Sequence, residues 1–345
     1  MPEQPRLIAL QTAVPPFPVD QAQAARRAAL LFDGHPEILR LLSVFDNTGI
    51  ETRYSCVPID WYMESHGWKE RTELYLKNSV DLLERVTLAC LQEARLGKQD
   101  IDAIVVASTT GIATPSLDAL LIERMGLRRD IVRLPIFGFG CAGGVYGLAR
   151  AADLARVIPG GRVLFLVVEL CALTFRKDDL SKSNIVAAAL FGDGAAGAIV
   201  SSSGDGPALG ASGSYTWPNS LDVMGWKVEE DGLKARFAQS IPSLVASDFP
   251  AIANGFLKAN DIALDSIEGF ACHPGGAKVL DALEDSLDLP RGSLEDSRAV
   301  LHDYGNMSAV TALFVLHRMR RRGIVGRTLM SALGPGFSAA FLMLQ

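Results

Sequence analysis

Apolar residues along the chain fall into two alternating kinds of run. The short runs "DAIVVAS" (102–108), "RVLFLVVEL" (162–170) and "GAAGAIVSS" (194–202) have the length and composition of strands. The middle one is almost wholly apolar, which predicts a strand buried on both faces. Longer patterns of helical period lie between them. In "ERTELYLKNSVDLLERVTLACLQEA" (70–94), Leu76, Val80, Leu83 and Leu91 recur at helical intervals, and Gly97 is expected to end the helix. Strands alternating with helices predict an α/β protein. No linker rich in Pro, Ser or Gly divides the chain, and the one loop-like seam is "SSSGDGPALG" (201–210).

A shift of 165 residues lays one part of the sequence on another. It places "DIDAIVVAS" (100–108) on "DSIEGFACH" (265–273), and "GCAGGVYGLARAADLARVIPGGRVLFLVVE" (140–169) on "GNMSAVTALFVLHRMRRRGIVGRTLMSALG" (305–334). Each copy reads as a small-residue turn, a helix of about five turns, a Gly-Arg pair and a strand. Arg162 falls on Arg327, Cys141 on Asn306 and Ser108 on His273. The pattern predicts a duplicated architecture, with halves 1–203 and 204–345 meeting at a shared central face. That face would gather a cysteine from one half and a histidine and an asparagine from the other.

The chain has 345 residues, 49% of them hydrophobic, enough for a substantial core. A formal net charge of −6 gives no general reason to bind nucleic acid or an anionic membrane. No apolar run approaches the roughly 18 residues of a membrane span. "MPEQPRLIALQT" lacks a basic region followed by a long apolar one, so no secretory signal is expected. The five cysteines (Cys56, Cys90, Cys141, Cys171, Cys272) are scattered and form no CxxC pair. That argues against a zinc site or disulfide framework and for reduced thiols in the cytoplasm.

Cys141 lies in "FGFGCAGGVYGLARAADL" (137–154), flanked by glycines at the expected start of a helix. Such a cysteine is either a small buried hydrophobe or a nucleophile whose thiolate is favoured by the helix N-terminus. His273 ends a predicted strand before "PGG", where a polar side chain emerges at a sheet edge; a histidine near Cys141 would lower its pKa further. His35, His66, His302 and His317 read as structural. Asn306, in "YGNMSAVTALFVL", is either a helix N-cap or an uncharged amide donor. Cysteine, histidine and asparagine together suit acyl transfer: one nucleophile, and two donors for negative charge on a thioester oxygen.

"GCAGG", "ALFGDGAA", "HPGG", "YGNMS" and "GPG" occur in an order and spacing that resemble the type III polyketide synthases, the chalcone and stilbene synthase family. The resemblance runs from about Ser43 to the last strand. It implies a duplicated thiolase-like αβαβα sandwich and a homodimer. It further implies extension of an acyl-CoA starter by malonyl-CoA, with no metal or redox cofactor. Cys141 matches the acyl-accepting nucleophile, His273 its activating partner and Asn306 the second donor. Phe191 matches a gatekeeper phenylalanine between CoA tunnel and reaction cavity. Thr109, Cys171 and Thr174 match the starter pocket, and Gly334, Pro335 and Gly336 the loop that shapes the cavity. Thr114 matches a residue that crosses to the partner's cavity.

There are departures. The second gatekeeper phenylalanine falls on Ala235, or with a slip on Phe237, so one wall is expected to be smaller. Of the basic positions that meet CoA phosphates, Arg40 fits, whereas Ser43 and Asn47 stand where basic residues are expected. The segment "TTGIATPSLDA", Cys171 and Ala235 look more like the bacterial alkylresorcinol and alkylpyrone synthases, which implies a fatty acyl starter. Two rivals share the fold: a ketoacyl synthase of the fatty-acid initiating type using acyl carrier protein, and a non-catalytic partner subunit.

Overall fold

The computed structural model describes residues 4–238, 240–323 and 326–345; Ile324 and Val325, inside the second copy of the repeat, lie outside it. The first sheet runs in the order Arg6–Ala13, Asp193–Ser201, Arg162–Leu170, Ala103–Ala107, Val132–Ile136. Its first three strands pair antiparallel and its last three parallel. The second sheet runs Leu209–Thr216, Ser338–Leu344, Thr328–Gly334, Gly269–Cys272, with the same succession of pairings. Among the described residues it has no counterpart to the outermost strand.

Side-chain alternation along the strands builds the layers. In Arg162–Leu170, Val163, Phe165 and Val167 face one core, while Leu164, Leu166, Val168 and Leu170 face another. The first core holds the helices Gly143–Val157 and Thr311–Arg321, packed between the two sheets. The second lies under Trp68–Ala94 and Leu117–Met125, and a third joins Ile241–Ala259 and Ala277–Ser286 to the other sheet. Full burial of one such Val, Leu or Phe contributes roughly 1.5–3 kcal/mol. The result is α/β/α/β/α. The two middle helices approach closely at their N-termini, where a Cβ on Gly144 would lie 2.1 Å from the Ala309 carbonyl oxygen.

Some local expectations are corrected. The long helix ends at Ala94, three residues before Gly97: Arg95 takes the left-handed conformation (φ 56°) and Leu96 N donates to Leu91 O at 2.9 Å. The repeated helices are shorter than five turns, at 15 and 11 residues. Ile158 precedes Pro159 and is extended, which stops the first. Ser308 has φ +50°, which delays the start of the second to Thr311.

The register also corrects the repeat by one residue. Ala103 pairs with Val163 and Gly269 with Thr328, so His273 is equivalent to Ala107 rather than Ser108. A one-residue slip exchanges the faces of a strand. Ser108 points outward and accepts from Tyr75 Oη at 2.8 Å, whereas Ala107 and Ala271, on the same face as His273, pack in the middle core. His273 therefore faces the middle layer, toward the helices that begin beside Cys141 and Asn306.

Candidate active site

Cys141 sits in the single turn Gly140–Ala142 that leads into the Gly143–Val157 helix. Gly140 (φ +46°) makes this turn possible: a Cβ there would lie 2.5 Å from Pro335 Cδ. The Thr109 hydroxyl accepts from Gly140 N at 3.1 Å. His273 follows the strand Gly269–Cys272 and donates its backbone N–H to Ser331 O at 2.8 Å. Asn306 is held by backbone bonds on both sides of Phe191: Asn306 N donates to Leu190 O (2.9 Å) and Gly192 N to Asn306 O (3.0 Å). Those bonds bring the "LFGDG" and "YGNMS" motifs together.

Cys141, His273 and Asn306 line one cavity of about 740 Å³ with Phe191, Phe237 and Arg40. Cys141 is partly exposed to it; the other four cysteines are buried. The Cys141 thiol lies 3.5 Å from Ser308 Oγ. Asn306 Oδ1 accepts from Ser308 N (2.8 Å), and Asn306 Nδ2 donates to Gly275 O (3.2 Å), which leaves the second amide N–H of Asn306 for a ligand. His273 is buried with neither ring nitrogen hydrogen-bonded. An unpartnered buried polar group is costly, and here it borders the cavity.

The electrostatics differ from a preformed thiolate–imidazolium pair. Burial pushes the Cys141 thiol up to about 12; Ser308 moderates the rise and Glu169 adds to it. Burial alone takes His273 down to about 3. The resting groups are thus a thiol and a neutral imidazole, which carries one N–H donor and one free lone pair. Behind them Glu169, raised to about 8 by burial, accepts from Thr109 N and Thr110 N at 3.0 Å each. Asp193, raised to about 6 by burial, accepts from Cys56 N and Ala172 N at 2.8 Å.

The remaining sequence candidates divide by position. Phe191 borders both the main cavity and a second, apolar one of about 90 Å³, which Cys171 and Thr174 line. Ala235 is buried beside Cys171, Ala187 and Phe191. It lines neither cavity, and its cross-strand partner Trp226 lies 6.1 Å from the Phe191 ring. Phe237 lines the main cavity and meets Phe191 edge to face at 5.5 Å, so it supplies the second aromatic wall. Thr109 and the Gly334–Pro335–Gly336 loop do not line the cavity; they support the Cys141 turn from behind. Thr114 is exposed. Sequence reasoning missed Ser308, Trp226, and the lysines Lys182 and Lys278 on the cavity wall. Of these Ser308 alone had a local signal, two residues after an Asn whose side chain closes a turn on its N–H.

A duplicated five-layer α/β fold with Cys, His and Asn on one enclosed cavity defines a condensing enzyme of the thiolase type. Comparison with known proteins gives the family. Residues 4–204 match the N-terminal domain, and 210–343 the C-terminal domain, of the chalcone and stilbene synthases. A 1,3,6,8-tetrahydroxynaphthalene synthase from Streptomyces peucetius subsp. caesius is 36% identical over 98% of this chain and 92% of its own length. A putative chalcone synthase from Bacillus subtilis is 35% identical, covering 98% and 97%. The crystal structure of 1,3,6,8-tetrahydroxynaphthalene synthase from Streptomyces coelicolor A3(2) superposes with a TM-score of 0.94 at 29% identity, covering 98% of each chain. The protein belongs to the chalcone and stilbene synthase family and is a type III polyketide synthase. The ketoacyl-synthase and non-catalytic readings are thereby set aside.

Proposed function

We propose that this enzyme loads an acyl-CoA starter, preferentially fatty acyl, onto Cys141, extends it with malonyl-CoA and cyclises the product to an alkylpyrone or alkylresorcinol. In loading, the neutral His273 imidazole takes the Cys141 proton as sulfur attacks the thioester carbonyl, and the departing CoA thiolate receives that proton. Malonyl-CoA then loses CO₂. The enolate oxygen accepts from His273 N–H and the second Asn306 N–H, two uncharged donors fixed before the charge develops. The enolate carbon attacks the acyl thioester, forming the C–C bond and releasing the Cys141 thiolate. CoA thioesters are the only co-reactants this sequence requires.

The observation that carries the fatty starter is the apolar cavity beyond Phe191. Leu31, Phe45, Cys171, Thr174 and Ala187 are among its walls, and Phe191 lines both it and the cavity that holds Cys141. Each methylene buried there contributes about 0.8 kcal/mol, so binding strengthens with chain length as far as the apolar space of about 90 Å³ extends. The relatives named 1,3,6,8-tetrahydroxynaphthalene synthase favour a second reading, an aromatic product without an alkyl chain. Measuring kcat/KM against acyl-CoA length separates the two. Medium or long chains should be preferred, and Cys171→Phe or Ala187→Leu should shift the optimum to shorter ones through overpacking. An optimum at malonyl- or acetyl-CoA, unmoved in both variants, sinks the fatty-starter reading.

We also propose a homodimer in the cytoplasm. Among the described residues the edge strand Val132–Ile136 has no partner on its outer side, and Val132, Phe137 and Ile112 are exposed near it or in the loop that follows the adjacent strand. Open strand edges with apolar flanks favour pairing with another chain. Among the described residues no helix is long and apolar enough to cross a membrane. Light scattering should return twice the 37.0 kDa chain mass, and Phe137→Asp should lower it. A wild-type monomer at micromolar concentration contradicts the dimer.

A further inference from the structure

Arg53 is only 5% exposed, yet the mechanism above gives it no part. It lies on the short strand Thr52–Ser55, whose alternation turns Arg53 and Ser55 inward. Burial lowers its pKa to about 10, so the guanidinium stays charged at neutral pH. A buried charge is costly unless its donors are bound. Asp193, the carboxylate that acts on it through space, is bound instead to Cys56 N and Ala172 N. The partners of Arg53 are backbone carbonyls: Nη1 donates to Ala188 O and, at 3.1 Å, to Phe191 O. The stem is equally placed. A Cβ on Gly192 would lie 3.2 Å from Arg53 Cβ, and one on Gly305 would lie 3.3 Å from it. Gly192 follows Phe191 and Gly305 precedes Asn306, so one side chain packs on both motifs that meet at the site.

Every backbone polar group from Leu190 O to Gly192 N is engaged. Leu190 O accepts from Asn306 N, Phe191 N donates to Ala187 O, and Gly192 N donates to Asn306 O. Phe191 O is the remaining one, and Arg53 supplies its donor. We infer that Arg53 is a positioning residue: it fixes the Phe191 peptide and, through the bridge to that peptide, the Asn306 amide. Arg53 lines the apolar cavity and not the one that holds Cys141, so it acts on the reacting atoms through other residues. Cys141 stands on a separate turn, supported by Thr109 and Pro335. Loss of the Arg53 donors should therefore reach decarboxylation, the step assigned to Asn306, ahead of loading. That consequence rests on the proposal that Asn306 donates to the enolate.

The test measures the ratio of malonyl-CoA decarboxylation to Cys141 loading, the latter at saturating starter so that starter binding drops out. Arg53→Met keeps the stem and removes the donors. The ratio should fall roughly 10²-fold, as small misplacements of a catalytic group do. Arg53→Lys keeps the charge, but its Nζ stops one bond short of the position of Nη1, so a loss of about tenfold is expected. In an Asn306→Ala background Arg53→Lys should change decarboxylation by less than about twofold, because the group it positions is gone. Hydrogen exchange read by mass spectrometry gives a measure free of turnover. Peptides covering 187–193 and 303–309 should exchange faster in Arg53→Lys, with the Trp68–Ala94 helix unchanged. Where Asn306→Ala loses decarboxylation, an unchanged ratio in Arg53→Lys overturns the inference, and so does a fully additive double variant. An equal fall in both steps with faster exchange along the whole chain also overturns it, marking a residue that only stabilises the fold. Where Asn306→Ala keeps decarboxylation, the enolate reading of Asn306 falls. Faster exchange confined to the two segments then upholds the positioning, and unchanged exchange refutes it.

Discussion

Cys141→Ala is expected to abolish polyketide formation while malonyl-CoA decarboxylation survives. The first step needs the sulfur to carry the acyl chain; the second needs only the donors His273 and Asn306, which the substitution leaves in place. Acetyl-CoA should therefore accumulate from malonyl-CoA with no longer product. Reactivity of the thiol provides a second measurement. Cys56, Cys90, Cys171 and Cys272 are buried, and burial raises each of their pKa values. Cys141 alone reaches the cavity, so iodoacetamide should label it first. His273, as the proposed proton acceptor, is expected to set the pH dependence. In the proposed loading step the imidazole takes the thiol proton, and the opposite charges so formed favour each other. Burial already pushes the Cys141 thiol up to about 12 with His273 in place, so the proposed base is what frees the sulfur for reaction, and His273→Ala removes it. Without that base the thiol must lose its proton to solvent, so the alkylation profile should move to higher pH. Labelling of Cys171 or Cys272 ahead of Cys141 contradicts the assignment. An unmoved profile in His273→Ala removes the histidine from it.

What could be read from the sequence depended on how locally each feature is encoded. The Arg162–Leu170 strand was legible to the residue because a continuous apolar run buried on both faces has few alternatives. The edge strand Val132–Ile136 was not: "VRLPI" is mostly exposed and contains Pro135, tolerated only at an edge. The duplication was visible, yet its register at His273 was one residue out, since only backbone pairing fixes register where the sequences diverge. The hairpin that carries Phe237 to the cavity has alternating polar positions and gave no comparable signal. Lys182 and Lys278 are 96 positions apart in the numbering and line the same cavity only because the two halves close on it.

Asn306→Ala should separate loading from decarboxylation. Loading uses the sulfur and the proton acceptor, neither of which is on Asn306. Decarboxylation places a full negative charge on an enolate oxygen, and in the proposed mechanism the second Asn306 N–H is one of two uncharged donors to it. Loss of one such donor typically costs roughly 10²–10³ in rate. Acylation of Cys141 by a starter, read by intact-protein mass, should persist while release of CO₂ from malonyl-CoA falls by that factor. The side chain also shapes the turn, because Asn306 Oδ1 holds Ser308 N, and Ser308 adopts a left-handed conformation beside the Cys141 thiol. Alanine removes both functions at once. Asn306→Asp keeps an oxygen acceptor for Ser308 N and removes the N–H donor, so it should preserve the turn while its charge opposes the enolate. The expected pattern is loading retained in both variants, more fully in the aspartate, with decarboxylation lost in both. Equal and small losses of the two steps in Asn306→Ala, with decarboxylation intact in Asn306→Asp, would place the residue in the turn alone and leave His273 as the only donor to the enolate.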